Sequence, residues 1–232
     1  MLTWSYGVMT TQKRVNDLLP KTITSLAKAG FDDPWIFMDG KLTVDLGPKV
    51  TAHQTPVHPY GNWLLSILEL YLRNPAADRY ALFQDDIVLC LGARDYLNTC
   101  KYPSQGYWNL FTFSTNEKRI ADKPVGWTLS DQMGRGAVAL VFNRDALVAL
   151  MRTHHILNKP MDLTATSSGL LKGQQNIDGC IITAAKQASH KEYVHQPSLV
   201  QHTGEQSTMG NRHHPKAKTF PGEHFNAMEL LK

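Results

Sequence analysis

Apolar positions along this chain recur with two spacings, and the switching between them predicts its elements. Residues Leu2 to Met9 alternate and carry Trp4 and Tyr6, which predicts a strand. After polar Thr10-Thr11-Gln12-Lys13-Arg14, apolar Val15, Leu18, Leu19, Ile23, Leu26 and Ala27 fall at helical spacing. Pro20 kinks that stretch or marks the true start of its helix, and Gly30 stops it. Trp35 to Met38 reads as a strand closed by Asp39-Gly40, and Val44 to Pro59, with three prolines, as loop. Asn62 is placed to cap a helix over Trp63–Leu72 that Arg73-Asn74-Pro75 ends. Tyr80 to Phe83 is a strand, and Ile87 to Leu91 resumes the apolar character. Trp108–Phe113 and Ala137–Phe142 are strands, with polar loop over Ser114 to Gly126. Asn143-Arg144-Asp145 opens a helix to about Met151, His154 to Gln174 is irregular, and Asn176–Ala188 is helical. Tyr193–Val200 is the last strand. Strands alternating with helices predict an α/β domain, a mixed sheet covered on both faces.

Composition narrows this picture without redirecting it. A chain of 232 residues with 42% hydrophobic and 19% charged residues fits one globular domain. No apolar run approaches the ~20 residues of a membrane-spanning helix, and no basic leader precedes the first apolar stretch. Cys90, Cys100 and Cys180 are odd in number and form no C-x-x-C pair, so a reducing, cytoplasmic setting (host cytoplasm if the source is viral) is expected. The net charge of +4 suits a polyanionic substrate without demanding one.

Two segments carry candidate chemistry. Gln84-Asp85-Asp86 sets two carboxylates directly after four apolar residues, at the end of a strand. Ligands of open α/β sheets bind outside the carboxyl ends of strands, and a divalent cation relieves the repulsion of adjacent carboxylates. A solvated acidic turn is the plainer alternative. The second segment runs from Gln196 to Asn211, where a strand delivers His202 to a loop rich in Gly, Ser, Thr and Asn. Imidazole is a ligand for Mn²⁺; amides near Gly204 and Gly210, with the hydroxyls of Ser207 and Thr208, suit diphosphate oxygens. An ordinary histidine before a flexible loop is the alternative here.

Taken in order, the Thr-Thr-x-x-Arg after the first strand, the mid-chain acidic pair and the late Pro-Ser-Leu-x-Gln-His-x-Gly-x-x-Ser-x-x-Gly-Asn resemble a GT-A-type glycosyltransferase. The late block is similar to that of N-acetylglucosaminyltransferase IV-like enzymes and related small bacterial and viral transferases. The resemblance implies a GT-A, Rossmann-like domain. Residues 1–203 would form the nucleotide-sugar-binding and catalytic body, and 204–232 a diphosphate-binding loop and basic tail of the same domain. It implies Asp86 and His202 as ligands of Mn²⁺ or Mg²⁺, and Asp85 facing the donor sugar or the ion. Gln84 would meet the ribose, although an amide there departs from the acidic family pattern. Thr10, Thr11 and Arg14 would lie along the nucleotide, and Asp39 would contact base or ribose. Asn62 and Trp63 either line that pocket or serve as helix cap and core. Gly204, Ser207 and Asn211 would hold the diphosphate. Asp178 would be the general base of an inverting transfer from a nucleoside-diphosphate sugar, a UDP-sugar by preference; helix N-terminal electrostatics explain it equally well. Gly134 and Gly136 resemble an acceptor-side entrance, or are turn glycines.

The acceptor stays open between a saccharide or lipid-linked hydroxyl and hydroxymethylated pyrimidines of viral DNA. Lys118, Arg119 and Lys123 form one basic segment, and Arg212, His213, His214, Lys216 and Lys218 another. A non-catalytic nucleotide-sugar-binding protein is a further alternative. A metal-dependent hydrolase is disfavoured, because no H-E-x-x-H or similar motif is present. The adjacent pairs His154-His155 and His213-His214 point apart in regular structure.

Overall fold

The structure is a computed structural model in which residues 2–157, 177–204 and 216–232 are described. In chain order the elements are β1 (Trp4–Thr11), α1 (Leu18–Lys28), β2 (Trp35–Asp39), β3 (Val50–Ala52), α2 (His58–Arg73), β4 (Arg79–Gln84) and β5 (Ile87–Leu89). There follow α3 (Ala93–Thr99), β6 (Gly106–Asn109), α4 (Ser114–Ile120), β7 (Gly126–Leu129), β8 (Ala139–Asn143), α5 (Arg144–Met151) and α6 (His154–Leu157). The chain closes with α7 (Ile177–Gln187), β9 (Lys191–Gln196), β10 (Val200–His202) and a 3-10 turn, Ala227–Leu231.

Among the described residues, eight strands form one sheet in the order β3-β2-β1-β4-β8-β6-β9-β7, and β10 pairs with β5 in a second, small sheet. The pairs β2–β3, β1–β2, β1–β4 and β6–β9 are parallel, whereas β8 runs against both β4 and β6, and β7 against β9. This is the mixed, Rossmann-like, single-domain fold that the GT-A resemblance implies.

Side chains alternate between two cores because successive residues of a strand point to opposite faces. On β4, Ala81 and Phe83 join the core under α1 and α3, while Tyr80 and Leu82 join the core under α2, α5 and α7. On β8, Ala139 and Val141 face the first core and Leu140 and Phe142 the second. The strands therefore read as continuous apolar runs, as expected of a sheet covered on both sides.

Several expectations need correction. The 44–59 stretch holds β3, which exists by parallel pairing to β2 and has no buried alternation of its own. Helix α2 starts at His58, with Pro59 in its first turn, where a missing N–H is harmless. Asn62 is thus inside the helix and not its cap; it is 3% exposed, and its amide donates to the Phe37 carbonyl. Trp63 is core, edge-on to Phe142. The 114–126 stretch contains α4, whose sole apolar residue, Ile120, is too little for a periodicity signal. The expected last strand is two, β9 and β10, which join different sheets on either side of Pro197. Helix α3 and strand β7 carried no sequence expectation. No helix among the described residues is long and apolar enough to cross a membrane.

Candidate functional site

The connections from β1 to β2 and β3 run to one side of β1, and β4 lies on the other. The crevice at such a reversal, outside the carboxyl ends of the strands, is where open α/β sheets bind ligands. Here the two flanking carboxyl ends are Thr10-Thr11 on β1 and Gln84 on β4, with Asp85-Asp86 immediately beyond.

The acidic pair is fixed from below by α1. Thr22 Oγ1 donates to the carbonyls of Asp85 (2.8 Å) and Ile87 (3.0 Å) and accepts from the Ile87 N–H (3.2 Å). Ser25 Oγ accepts from the Leu89 N–H at 2.8 Å. These hydroxyls satisfy backbone groups of β5 that face α1, where an unmade hydrogen bond would be costly. On its other side β5 pairs antiparallel with β10, with His202 opposite Ile87. That register brings His202 Nδ1 within 3.7 Å of Asp86 Oδ2. The Thr203 N–H donates to the Asp86 carbonyl at 2.8 Å, and the Gly204 backbone lies so close that an added Cβ would stand 3.1 Å from Asp86 Oδ2.

Arg14 bridges the pair: its Nη1 is 2.7 Å from both Asp85 Oδ1 and Asp86 Oδ2. Its position is set by the turn after β1, where its carbonyl accepts the N–H groups of Leu18 and Leu19. Burial works against the guanidinium charge, but Asp85 and then Asp86 outweigh it and hold the group above its ordinary pKa. Asp85 is 2% exposed, and burial raises its pKa against the pull of Arg14. Thr10, also buried, donates to Asp85 Oδ2 at 2.6 Å. With two carboxylates against one guanidinium, the cluster keeps a net charge near −1 when both acids are ionised.

The residues expected around the nucleotide separate into two groups. Thr10, Arg14 and Asp85 form an internal brace behind Asp86. Thr11 and Asp39, paired across β1 and β2, sit together at the carboxyl edge. Thr11 Oγ1 is shielded from solvent and has no hydrogen-bond partner among the described residues, while Asp39 Oδ1 accepts the Val57 N–H at 2.6 Å. Sequence reading missed His53, which follows β3 on the same edge and whose Nε2 is likewise buried and has no partner among the described residues. Nothing in the sequence flags it, because β3 itself is not legible. Thr22 was detectable as a polar residue on the apolar phase of α1.

On the far side of β4, Gln84 Nε2 donates to the Ala137 carbonyl at 3.2 Å. Asp178, in the first turn of α7, accepts the N–H groups of Gly136 (2.8 Å) and Ala137 (3.1 Å), and burial raises its pKa despite them. Gly134 and Gly136 have φ of +60° and +73°, and a Cβ on them would approach within 2.5 Å of the Asp178 carbonyl and of Phe111 respectively. Close packing and backbone conformation both require glycine there. Ser207 and Asn211, with Thr208 and Gly210, fall in 205–215, outside the described residues.

Asp86 and His202 are the oxygen and nitrogen donors a divalent cation accepts. Among the described residues no group of three His, Cys, Asp or Glu side chains could hold a metal ion. Among the described residues Asp86 and His202 would therefore fill two positions of a cation, fewer than a closed structural site needs.

No protein-family model matches the chain, and no curated protein matches it. Among solved structures, A197 from STIV is similar at a TM-score of 0.43 and 10% identity, over 87% of this chain and 84% of that one. A protein described as a glucose-1-phosphate thymidylyltransferase from Bacillus anthracis, in complex with a sucrose, is similar at a TM-score of 0.45 and 9% identity, over 86% and 89% of the two chains.

Proposed function

We propose that this chain is a metal-dependent glycosyltransferase that takes its sugar from a nucleoside-diphosphate sugar, a UDP-sugar by preference. The observation that carries the reading is the convergence of Asp86 and His202, 3.7 Å apart and both buried, at the reversal of strand order in the sheet. Asp86 and His202 would hold Mn²⁺ or Mg²⁺. When bound, that ion supplies Lewis-acid stabilisation of the charge that develops on the departing nucleoside diphosphate. Thr10 and Asp85 brace Arg14, which keeps a fixed positive charge against the same face of Asp86 and adds electrostatic support for phosphate. Thr11, Asp39 and His53, on three adjacent strand ends, would meet the ribose and base, with Gln84 also at the ribose. Gly204 packs against Asp86.

Asp178 is proposed as the base that takes the acceptor hydroxyl's proton in an inverting transfer. Burial raises its pKa, which favours proton uptake from the acceptor.

The test is thermal stabilisation by UDP-sugars in the presence of Mn²⁺, followed by donor hydrolysis. Asp86→Ala and His202→Ala are expected to abolish the metal-dependent part of both. Unchanged stabilisation and hydrolysis in both variants would sink the assignment. Asp178→Asn should keep donor binding and lose transfer by about 10²-fold or more, in line with general-base contributions; full transfer in that variant rejects Asp178 as base.

A further inference from the structure

The tertiary structure joins two basic segments that are some 100 residues apart in sequence, and it joins them beside the site. Ala217 is tied to β10 on both sides: its N–H donates to Gln201 Oε1 at 2.9 Å and its carbonyl accepts from Gln201 Nε2 at 2.9 Å. Gln201 precedes His202. Two residues on, Thr219 donates to buried Glu117 of α4 through its N–H (2.7 Å) and its hydroxyl (2.8 Å). The 216–219 backbone, which carries Lys216 and Lys218, is thereby tied to α4, which carries Lys118 and Arg119. Within 114–123 and 216–219, Lys118, Arg119, Lys123, Lys216 and Lys218 are exposed, against one exposed acid, Asp122. Arg119 is pinned, its Nη1 donating to the carbonyls of Leu129 and Ser130.

We infer that this face of α4 and the 216–219 segment binds the phosphate backbone of a nucleic-acid strand and guides it toward the crevice at Asp86. Lysines, a fixed guanidinium and the hydroxyl of Ser114 are the groups that contact sugar-phosphate backbones, whereas the Thr115 hydroxyl donates to Asp131 Oδ2 at 3.1 Å. A membrane surface calls for an apolar face beside the charge, and α4 offers none, since Ile120 is 1% exposed. Glu117 of α4 is consumed in holding Thr219 and faces inward. The inference goes beyond the glycosyltransferase reading and stands without it, because backbone binding requires neither donor nor turnover.

The experiment is fluorescence anisotropy of labelled single-stranded and duplex DNA with the full chain. Binding should weaken roughly a hundredfold between about 50 and about 200 mM salt if about four phosphates are neutralised. The double variant Lys118→Glu/Lys218→Glu should bind about tenfold or more weakly, with a salt slope shallower by about two. Lys28→Glu/Lys41→Glu, which changes net charge equally on exposed positions elsewhere, should bind as the parent does. Lys118→Gln/Lys218→Gln, with melting curves for all variants, separates lost binding from lost fold. Equal weakening by the control pair, absence of salt-sensitive DNA binding, or equal affinity for anionic phospholipid vesicles overturns the inference. Asp86→Ala should retain DNA binding while losing donor-dependent stabilisation, so the two proposals fail separately.

Discussion

Two buried acids and a buried histidine in this protein have different surroundings, and each gives a separate expectation. Asp85 is held by Thr10 and Arg14, so its carboxylate acts on Asp86 through Arg14. Asp85→Asn is expected to cost about 1–3 kcal/mol, the usual penalty for disturbing a buried charged hydrogen bond. Urea unfolding measures this, and an unchanged midpoint would show that the brace is dispensable. Glu192, 1% exposed between Tyr107 and Asn109, is pushed by burial from 4.5 up to about 7. Because its folded pKa is raised, its stabilisation is complete below pH ~4.5 and is lost as pH rises through ~7, by at most about 3 kcal/mol. His195 behaves oppositely: burial pulls it from 6.5 down to about 4, so its contribution is present above pH ~6.5 and is lost as pH falls through ~4. The two slopes oppose each other between pH ~4.5 and ~6.5. Glu192→Gln should therefore raise Tm at pH 8, leave it nearly unchanged at pH 4.5, and steepen the acid loss that His195 causes. Parallel pH profiles for parent and variant would contradict this.

At the scale of elements, the site depends on helix α1 as much as on any strand. Its amphipathic pattern is plain in the sequence, yet Thr22 and Ser25 interrupt the apolar face, and both serve the backbone of β5. Thr22→Val keeps the shape and removes the hydroxyl, leaving the Ile87 N–H unpaired. A loss of about 1–3 kcal/mol is expected, together with weaker donor-dependent stabilisation because Asp86 sits on the same segment. If stability falls and donor stabilisation holds, the segment's position does not depend on α1. The turn before β8 is similarly bound to α7. Gly136→Ala would force a left-handed residue against Phe111, and Gly134→Ala would meet the Asp178 carbonyl. Each should lower Tm by several degrees, as strain of about 1–3 kcal/mol implies.

Across the whole molecule, the end of the chain is part of the site's scaffold. The 216–219 segment spans β10 and α4, and Asn226 bridges to Leu91, between β5 and α3. Glu117→Ala should leave Thr219 without its acceptor and raise amide hydrogen exchange over 216–219, with DNA affinity falling in step. Unaltered exchange there would show that Gln201 alone anchors the segment.

The sequence by itself determined the α/β class, most strands and helices, and the two segments that converge, because apolar periodicity and turn residues act locally. It determined that Asp85-Asp86 follow a strand and that His202 ends one. Only the tertiary structure decided that β10 leaves the main sheet to pair with β5, which is what sets His202 against Asp86. Only it decided that a guanidinium stands between the two carboxylates. Edge strand β3, with His53 after it, and the short α3 and α4 were illegible for the same reason: they exist through pairing and packing supplied by distant residues, and carry too few apolar positions to announce themselves.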